Sequence, residues 1–181
     1  MTAAPESREH PPMRRCYLGV VGPGTADSAT YDIAREIGRL AVERLAATVV
    51  CGGLGGVMEA AARGAVEAGG VSVGFLPGSD RSEANDYLTV SVPTGLGELR
   101  DGMVVNASNA LVVVGGSWGT LVEVALASKR GLPVMSLGGW SVSDDHGVAW
   151  SGVTRCSDPE QAMDRLAELL LHRSLEVTSA H

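Results

Sequence analysis

One stretch of the sequence combines the residue types and the spacing of an anion-binding loop. An apolar, β-branched run ends at Val114, a glycine-rich turn follows, and a helix is predicted at residues 118–130. Glycines let a backbone approach a ligand closely, and the first amides of a helix are unpaired donors at the positive end of its dipole. The stretch therefore predicts a phosphate-binding loop made by Gly115, Gly116, Ser117, Trp118, Gly119 and Thr120.

Two residues of this helix have a second interpretation. Thr120 and Glu123 have the T-x-x-E spacing of a capping box, in which each side chain satisfies one unpaired amide. The turn matches neither G-x-G-x-x-G nor a Walker sequence, because no Lys follows the glycines. A capping role does not exclude a functional Glu, so both interpretations stay open from the residues alone.

A second unit of strand, glycine loop and helix lies earlier in the chain. An apolar run at residues 48–51 leads through glycines into a helix predicted at 57–68. Right-handed crossovers place the carboxyl ends of parallel strands at one sheet edge, so both glycine loops can line one crevice. Tight turning with close helix packing is the alternative explanation of these glycines. They are Gly52, Gly53, Gly55 and Gly56, and Gly22 after the first strand adds a further candidate wall.

The elements that must position these loops alternate along the chain. Alternation of strands and helices predicts a doubly wound α/β fold in three layers, with a mainly parallel sheet of about six or seven strands. The polar loop at 79–86 is long enough to be a lid, and one or two short strands fit within 138–156. Strands are predicted at 15–21, 48–51, 71–76, 88–92, 111–114 and 133–137, and helices at 29–46, 57–68, 96–107, 118–130 and 159–171.

Length and composition predict a single globular domain. The chain has 181 residues, 45% of them hydrophobic, which is enough for one well-buried core. Residues 1–13 are polar and proline-rich and are predicted to form a disordered leader, and residues 172–181 a frayed tail. The domain itself is therefore predicted over residues 14–171.

Charge and cysteine content exclude several classes of function. A net charge of −7, with 14 Lys and Arg against 21 Asp and Glu, offers no basic surface for nucleic acid. Cys16, Cys51 and Cys156 are odd in number and widely spaced, which indicates reduced core residues rather than disulfides or a zinc site. No segment approaches transmembrane length, so we expect no membrane association and a cytoplasmic protein.

Residues 144–146 form an acidic cluster with atoms that can ligate a metal. Asp144, Asp145 and His146 carry ligating atoms, but three adjacent residues do not readily face one ion. A solvated turn is the expectation there, and no metal site is predicted.

Three motifs taken together resemble a known family. They are Gly52-Gly53-Leu54-Gly55-Gly56-Val57-Met58, the helix that carries Arg100, and Gly115-Gly116-Ser117-Trp118-Gly119-Thr120-Leu121-Val122-Glu123. Residues 14–171 resemble the LOG family, named for the LONELY GUY proteins, and the related molybdenum cofactor carrier proteins. The LOG signature is an Arg in a helix, then an apolar strand and P-G-G-x-G-T-x-x-E, and Arg100 and Glu123 occupy its Arg and Glu positions.

The resemblance implies a Rossmann-like homodimer and a candidate enzyme. LOG proteins are phosphoribohydrolases, which cleave the N-glycosidic bond of a nucleoside 5′-monophosphate, and no cofactor is required. Glu123 would stabilise the oxocarbenium-like transition state, and Arg100 would pair with Glu123 and keep it ionised. The phosphate would rest on the amides of residues 116–120. An Arg100–Glu123 ion pair that only locks two helices together remains an open structural alternative.

Departures from the LOG pattern favour its carrier-like branch. The opening Pro is replaced by Gly115, the second Gly by Ser117, the Lys after the Arg by Asp101, and a glycine of the earlier motif by Cys51. The alternative function is therefore a non-catalytic protein that binds a nucleotide or a phosphorylated pterin such as molybdenum cofactor. In either case the partner is a small phosphorylated molecule. Candidates for stacking on its ring are Trp118, Trp140 and Trp150.

Two further expectations concern a common label and the assembly. Proteins of this superfamily are often labelled lysine decarboxylases, but pyridoxal phosphate needs a Schiff-base Lys. The sole Lys, Lys129, lies about two and a half turns beyond Thr120 on a helix directed away from the crevice.

The helices at 96–107 and 118–130 carry more apolar residues than one sheet face covers, which predicts a homodimer or a higher homo-oligomer.

Overall fold

The computed structural model describes residues 16–143 and 145–179, with side chains described as far as Leu171. The predictions for the leader at residues 1–13 and for Asp144 fall outside these residues. Its strands are β1 (Tyr17–Val21), β2 (Thr48–Cys51), β3 (Ser72–Leu76), β4 (Val90–Pro93), β5 (Ala110–Val114), β6 (Val134–Leu137) and β7 (Thr154–Arg155). Its helices are α1 (Ser28–Leu45), α2 (Val57–Glu67), α3 (Asp101–Ala107), α4 (Trp118–Lys129) and α5 (Pro159–Ser179).

The strands form one sheet in the order β4-β3-β2-β1-β5-β6-β7. Every pair of neighbouring strands is parallel. The chain winds outward from β1 through β4, returns to the other side of β1, and winds outward again from β5. The carboxyl ends of β1 and β5 are therefore the switch point, where open α/β sheets form a crevice. The predicted Rossmann-like α/β fold is confirmed.

Two separate cores on the two faces of the sheet account for its three layers. Successive residues of β5 point to opposite faces, so Val112 and Val114 pack with α1, α2 and α5. Leu111 and Val113 pack with α3 and α4 on the other face. A strand covered on both sides must be apolar throughout, which explains the unbroken Ala110–Val114 run.

The helix predicted at residues 96–107 is divided in two. A 3-10 helix runs over Gly97–Arg100 and α3 follows from Asp101. The backbone is left-handed at Gly95 and at Gly97, with φ of 64° and 56°, so a regular α-helix cannot begin there. At the other end of the chain, α5 continues to Ser179, eight residues beyond the predicted helix end.

The segment between β6 and α5 contains little regular structure. Within it, Ser143 and Ala149 form an isolated antiparallel bridge, and β7 pairs with β6 at the sheet edge. Asp145 and His146 are exposed and lie 3.6 Å apart. Among the described residues there is no cluster of His, Cys, Asp and Glu suited to a metal ion. No helix anywhere in residues 16–143 and 145–179 has the length and apolarity needed to cross a bilayer.

Candidate functional site

The loops that follow β1, β2 and β5 meet at one edge of the sheet. Pro23, in the loop after β1, lies between the other two. Its carbonyl oxygen accepts a hydrogen bond from the Val57 amide at the start of α2, at 3.1 Å. A Cβ added to Gly115, after β5, would lie 3.5 Å from the Pro23 ring. Topology thus brings together the glycines that the sequence marks along separate segments.

The loop after β2 is built for packing. A Cβ at Gly53 would lie 2.6 Å from Leu76, and one at Gly56 would lie 2.5 Å from the Pro23 carbonyl oxygen. Gly22 packs as tightly, since a Cβ there would lie 2.4 Å from the Val114 carbonyl oxygen. Close packing, the alternative explanation of these glycines, therefore accounts for their residue type.

Asn85 ties this loop to the chain between β3 and β4. Its side-chain amide donates to the carbonyl oxygens of Gly53, at 3.1 Å, and Leu54, at 2.9 Å. Its backbone amide also donates to Gly53. Sequence reasoning treated residues 79–86 only as a lid, and no local pattern distinguishes an Asn that caps a distant loop from one in a solvated turn.

The loop after β5 is open instead. Gly116 and Gly119 are exposed, and the amides of Trp118 and Gly119, in the first turn of α4, have no hydrogen-bond partner in the part of the chain that the structure describes. Such amides are the donors that an anion finds at a helix N-terminus.

The cap of α4 is Ser117 rather than Thr120. The Ser117 hydroxyl accepts from the Thr120 amide at 3.3 Å and lies 2.9 Å from the Thr120 hydroxyl. Thr120 is only 1% exposed, and its hydroxyl is engaged by the Ser117 cap. The predicted T-x-x-E capping box is therefore wrong. Ser directly before the first helical residue is itself a strong N-cap signal and identifies the correct register.

Two tryptophans flank the open loop. The Trp140 indole Nε1 donates to the Ser117 carbonyl oxygen at 2.9 Å. Its ring lies 4.9 Å from that of Trp118, centroid to centroid, and a Cβ at Gly116 would approach it to 3.0 Å. A side chain at position 116 would therefore require Trp140 to shift by a few tenths of an ångström. Between α4 and the segment after β6 lies a pocket with both apolar and polar walls, whose lining includes Leu121, Val124, Trp140, Trp150, Ser141 and Arg155.

Arg100 and Asp101 form an ion pair beneath the crevice. Arg100 donates to the Asp101 carboxylate at 2.5 Å, and each side chain is 11% exposed. The guanidinium lies on Gly52, because a Cβ there would fall 2.4 Å from one of its nitrogens. Its Nε is buried without a partner among the described residues. Arg100 pairs with Asp101 and not with Glu123, so the predicted Arg100–Glu123 ion pair is wrong.

Glu123, in the second turn of α4, is 5% exposed. Burial and, to a smaller extent, the nearby charge of Asp101 raise its pKa to about 8, against the opposing charge of Arg100. Burial also raises the pKa of the Asp101 carboxyl, against the effect of Arg100. At neutral pH the Glu123 side chain is consequently mostly protonated and uncharged.

The fold and the site define a class of protein: a Rossmann-like α/β protein with an open glycine loop and a free helix N-terminus at its switch point. The chain belongs to the SLOG cluster4 family, whose model matches residues 15–163. The predicted relationship to the LOG and molybdenum cofactor carrier superfamily is thereby confirmed.

Similar proteins include two that are named for molybdenum cofactor. The carrier protein MCP from Chlamydomonas reinhardtii is 36% identical with a TM-score of 0.76, over 87% of this chain and 99% of that one. The molybdenum cofactor binding protein from Rippkaea orientalis is 30% identical with the same TM-score, over 87% and 99%. An uncharacterized protein from Archaeoglobus fulgidus is 42% identical over 69% of this chain and 82% of its own.

A more distant similarity extends to DNA processing protein A from Helicobacter pylori. It is 14% identical with a TM-score of 0.63, over 84% of this chain and 80% of that one. At this identity the similarity shows a shared fold alone.

Proposed function

We propose that this protein binds a phosphorylated pterin of the molybdenum cofactor type and holds it without turning it over. The observation that carries the proposal is the open N-terminus of α4, where the amides of Trp118 and Gly119 have no partner among the described residues, beside a buried Glu123. The free amides suit a terminal phosphate. Two proteins of 30% and 36% identity are named for this ligand, which supports the same assignment.

A pocket close to the free amides supports a site for the ring of the ligand. The pocket between α4 and the segment after β6 shares Trp140 with the wall of the glycine loop. Trp140 and Trp150 offer aromatic surface, and Arg155 and Ser141 offer polar groups at the same pocket. Flat heterocycles bind in sites that combine apolar and aromatic surface with polar groups that fix orientation.

Hydrolysis of a nucleoside 5′-monophosphate is the second candidate function. Its support is the position of Arg100 and Glu123, which lie close enough for the Arg100 charge to lower the pKa of Glu123. The reaction needs a carboxylate that is ionised near the anomeric carbon. A Glu with a pKa of about 8 and no ion pair with Arg100 meets this need poorly, so binding without turnover is preferred.

The test is retention of molybdenum cofactor by the purified protein. We would release the cofactor anaerobically from a molybdoenzyme, mix it with the protein, and measure pterin and molybdenum in the protein fraction after gel filtration. Gly119→Glu places a carboxylate at the exposed start of α4, where a negative charge is compatible with the helix but repels phosphate. Val66→Glu adds the same charge at a position on α2 that is 40% exposed and outside the proposed dimer interface, and is the matched control.

Wild type and Val66→Glu are expected to retain the cofactor, and Gly119→Glu to lose it. Equal retention by all three proteins, or none by wild type, would contradict the proposal. A parallel incubation with AMP follows free adenine by chromatography. Adenine release that disappears in Glu123→Gln would instead establish the hydrolase.

We further propose a homodimer formed through α3, α4 and the 3-10 helix before α3. Leu99, Trp118 and Val122 are 81%, 74% and 51% exposed, and large apolar side chains of this kind are buried by a second copy across a two-fold axis. Sedimentation velocity at micromolar concentration is expected to give the mass of a dimer for wild type and of a monomer for Val122→Asp. A monomeric wild type would exclude this interface.

A further inference from the structure

Asp101 places a carboxylate next to the amide end of α4. Its Oδ2 atom would lie 3.5 Å from a Cβ added to Gly119, and Gly119 is the second residue of α4. Its Oδ1 accepts from Arg100. A phosphate bound by the free amides of Trp118 and Gly119 therefore has this carboxylate as a close neighbour.

The same carboxylate also forms an ion pair with the cation of the site, the Arg100 guanidinium. The Arg100 guanidinium is held between Asp101 and the backbone of Gly52, with 11% of the side chain exposed. Guanidinium groups bind phosphate well because their donors match its oxygens in pairs. In this arrangement one of the Arg100 donors is already engaged by a group of the protein itself.

A stabilising role alone does not account for this pair. Removing two charges from water costs about as much as their attraction returns, so a buried ion pair contributes little net stability compared with apolar residues of the same size. Asp101 is 8% exposed and its pKa is raised by burial, which are the signs of such a cost. The pair lies beside the α4 amides, where its charges act on any bound anion.

We propose that Asp101 lowers the affinity of the site for phosphate, both by repelling the anion at α4 and by competing with it for Arg100. The inference rests on the proposed binding function and deepens it, because a protein that carries a ligand without converting it must also release that ligand. Asp101 is in this sense a specificity-determining residue. It disfavours compact anions that offer only phosphate and leaves binding dependent on the remainder of the ligand.

The test compares the affinity of wild type, Asp101→Asn and Glu98→Gln for AMP and for inorganic phosphate by isothermal titration calorimetry. Asn keeps the shape of Asp and an acceptor oxygen for Arg100, but it removes the charge. We expect Asp101→Asn to bind both probes about tenfold more tightly, since a unit charge within several ångströms of an anion has an effect of this order in a partly buried site. Glu98→Gln removes the same charge from an exposed neighbour of Asp101, where solvent screens it, and is expected to tighten binding much less.

Asp101→Ser also removes the charge and serves if the Asn variant does not fold, which thermal denaturation will show. Wild type that retains molybdenum cofactor, together with Asp101 variants that bind the probes no more tightly, would overturn this inference and leave the proposed function standing. Equal tightening by Glu98→Gln would also overturn it, because the effect would then reflect overall charge. Failure of every variant to bind cofactor, AMP or phosphate would remove the proposed function and this inference together.

Discussion

The loop after β2 and the loop after β5 share one sequence pattern, in which an apolar strand runs through glycines into a helix. Their surroundings differ. In the loop after β2, Cβ atoms at Gly53 and Gly56 would collide with a neighbouring side chain or backbone. In the first turn of α4, directly after the loop that follows β5, Gly119 is exposed and has space for a Cβ. The same pattern therefore serves to join elements in one loop and to present amides in the other.

Among the substitutions that compare the two loops, Gly56→Ala is expected to change the free energy of unfolding most. Gly56 has φ of 64°, and its new Cβ would lie 2.5 Å from the Pro23 carbonyl oxygen and 2.6 Å from Gly24. Both the left-handed backbone and the overlap with main-chain atoms oppose the substitution. We expect the free energy of unfolding to fall by about 3–5 kcal/mol, measured by urea denaturation.

Gly69→Ala separates these two contributions. Gly69 has a similar φ of 76°, but a Cβ there would meet nothing within 4 Å. It should therefore lose only the cost of the left-handed backbone, about 1 kcal/mol. Equal losses for the two variants would show that the loop after β2 is not closely packed.

The agreement between sequence and structure is greatest where local pattern decides the outcome. Residues 48–51 were predicted as a strand and β2 has those bounds, because an apolar run closed by glycines is a strong local signal. The meeting of the glycine loops at one sheet edge also follows from topology alone. What separates the two loops is the set of atoms around each glycine, which only tertiary packing determines.

The ion pair between Arg100 and Asp101 also could not be predicted from the local sequence. Adjacent residues of a helix do not face each other, so a local rule argues against pairing Arg100 with Asp101. The long Arg100 side chain nevertheless reaches the Asp101 carboxylate, although both residues have helical backbone angles. The family resemblance led us to expect an Arg100–Glu123 pair, because it carries no information about the contact between Arg100 and Asp101.

A smaller change in the free energy of unfolding is expected from the ionisation of the buried Glu123 carboxyl in α4. The pKa of Glu123 is raised to about 8 in the folded protein from an ordinary value of 4.5. Between these values the folded protein holds a proton that the unfolded chain has released, so the free energy of unfolding falls as pH rises. From about pH 5.5 to about pH 7.5 we expect Glu123 to contribute a loss of about 2–3 kcal/mol.

Glu123→Gln cannot ionise and should lack this decline, whereas Glu98→Gln, at an exposed position, should keep it. Urea denaturation of the three proteins at several pH values measures the slopes. Parallel slopes for wild type and Glu123→Gln would mean that Glu123 is ionised throughout this range. The open loop would then have a charged carboxylate beneath it, and the hydrolase would regain support.

The smallest effect is expected from Gly119→Ala. Gly119 lies in the first turn of α4, and the nearest atom to a new Cβ would be Asp101 Oδ2, at an ordinary contact distance of 3.5 Å. Ala favours a helix over Gly by about 1 kcal/mol in the interior and by less at an end. We therefore expect the free energy of unfolding to rise by about 0.5 kcal/mol or less, in contrast to the large loss in Gly56→Ala. The same urea denaturation measures this effect. A fall in the free energy of unfolding of more than about 1 kcal/mol would mean that close packing requires a glycine here as well as in the loop after β2.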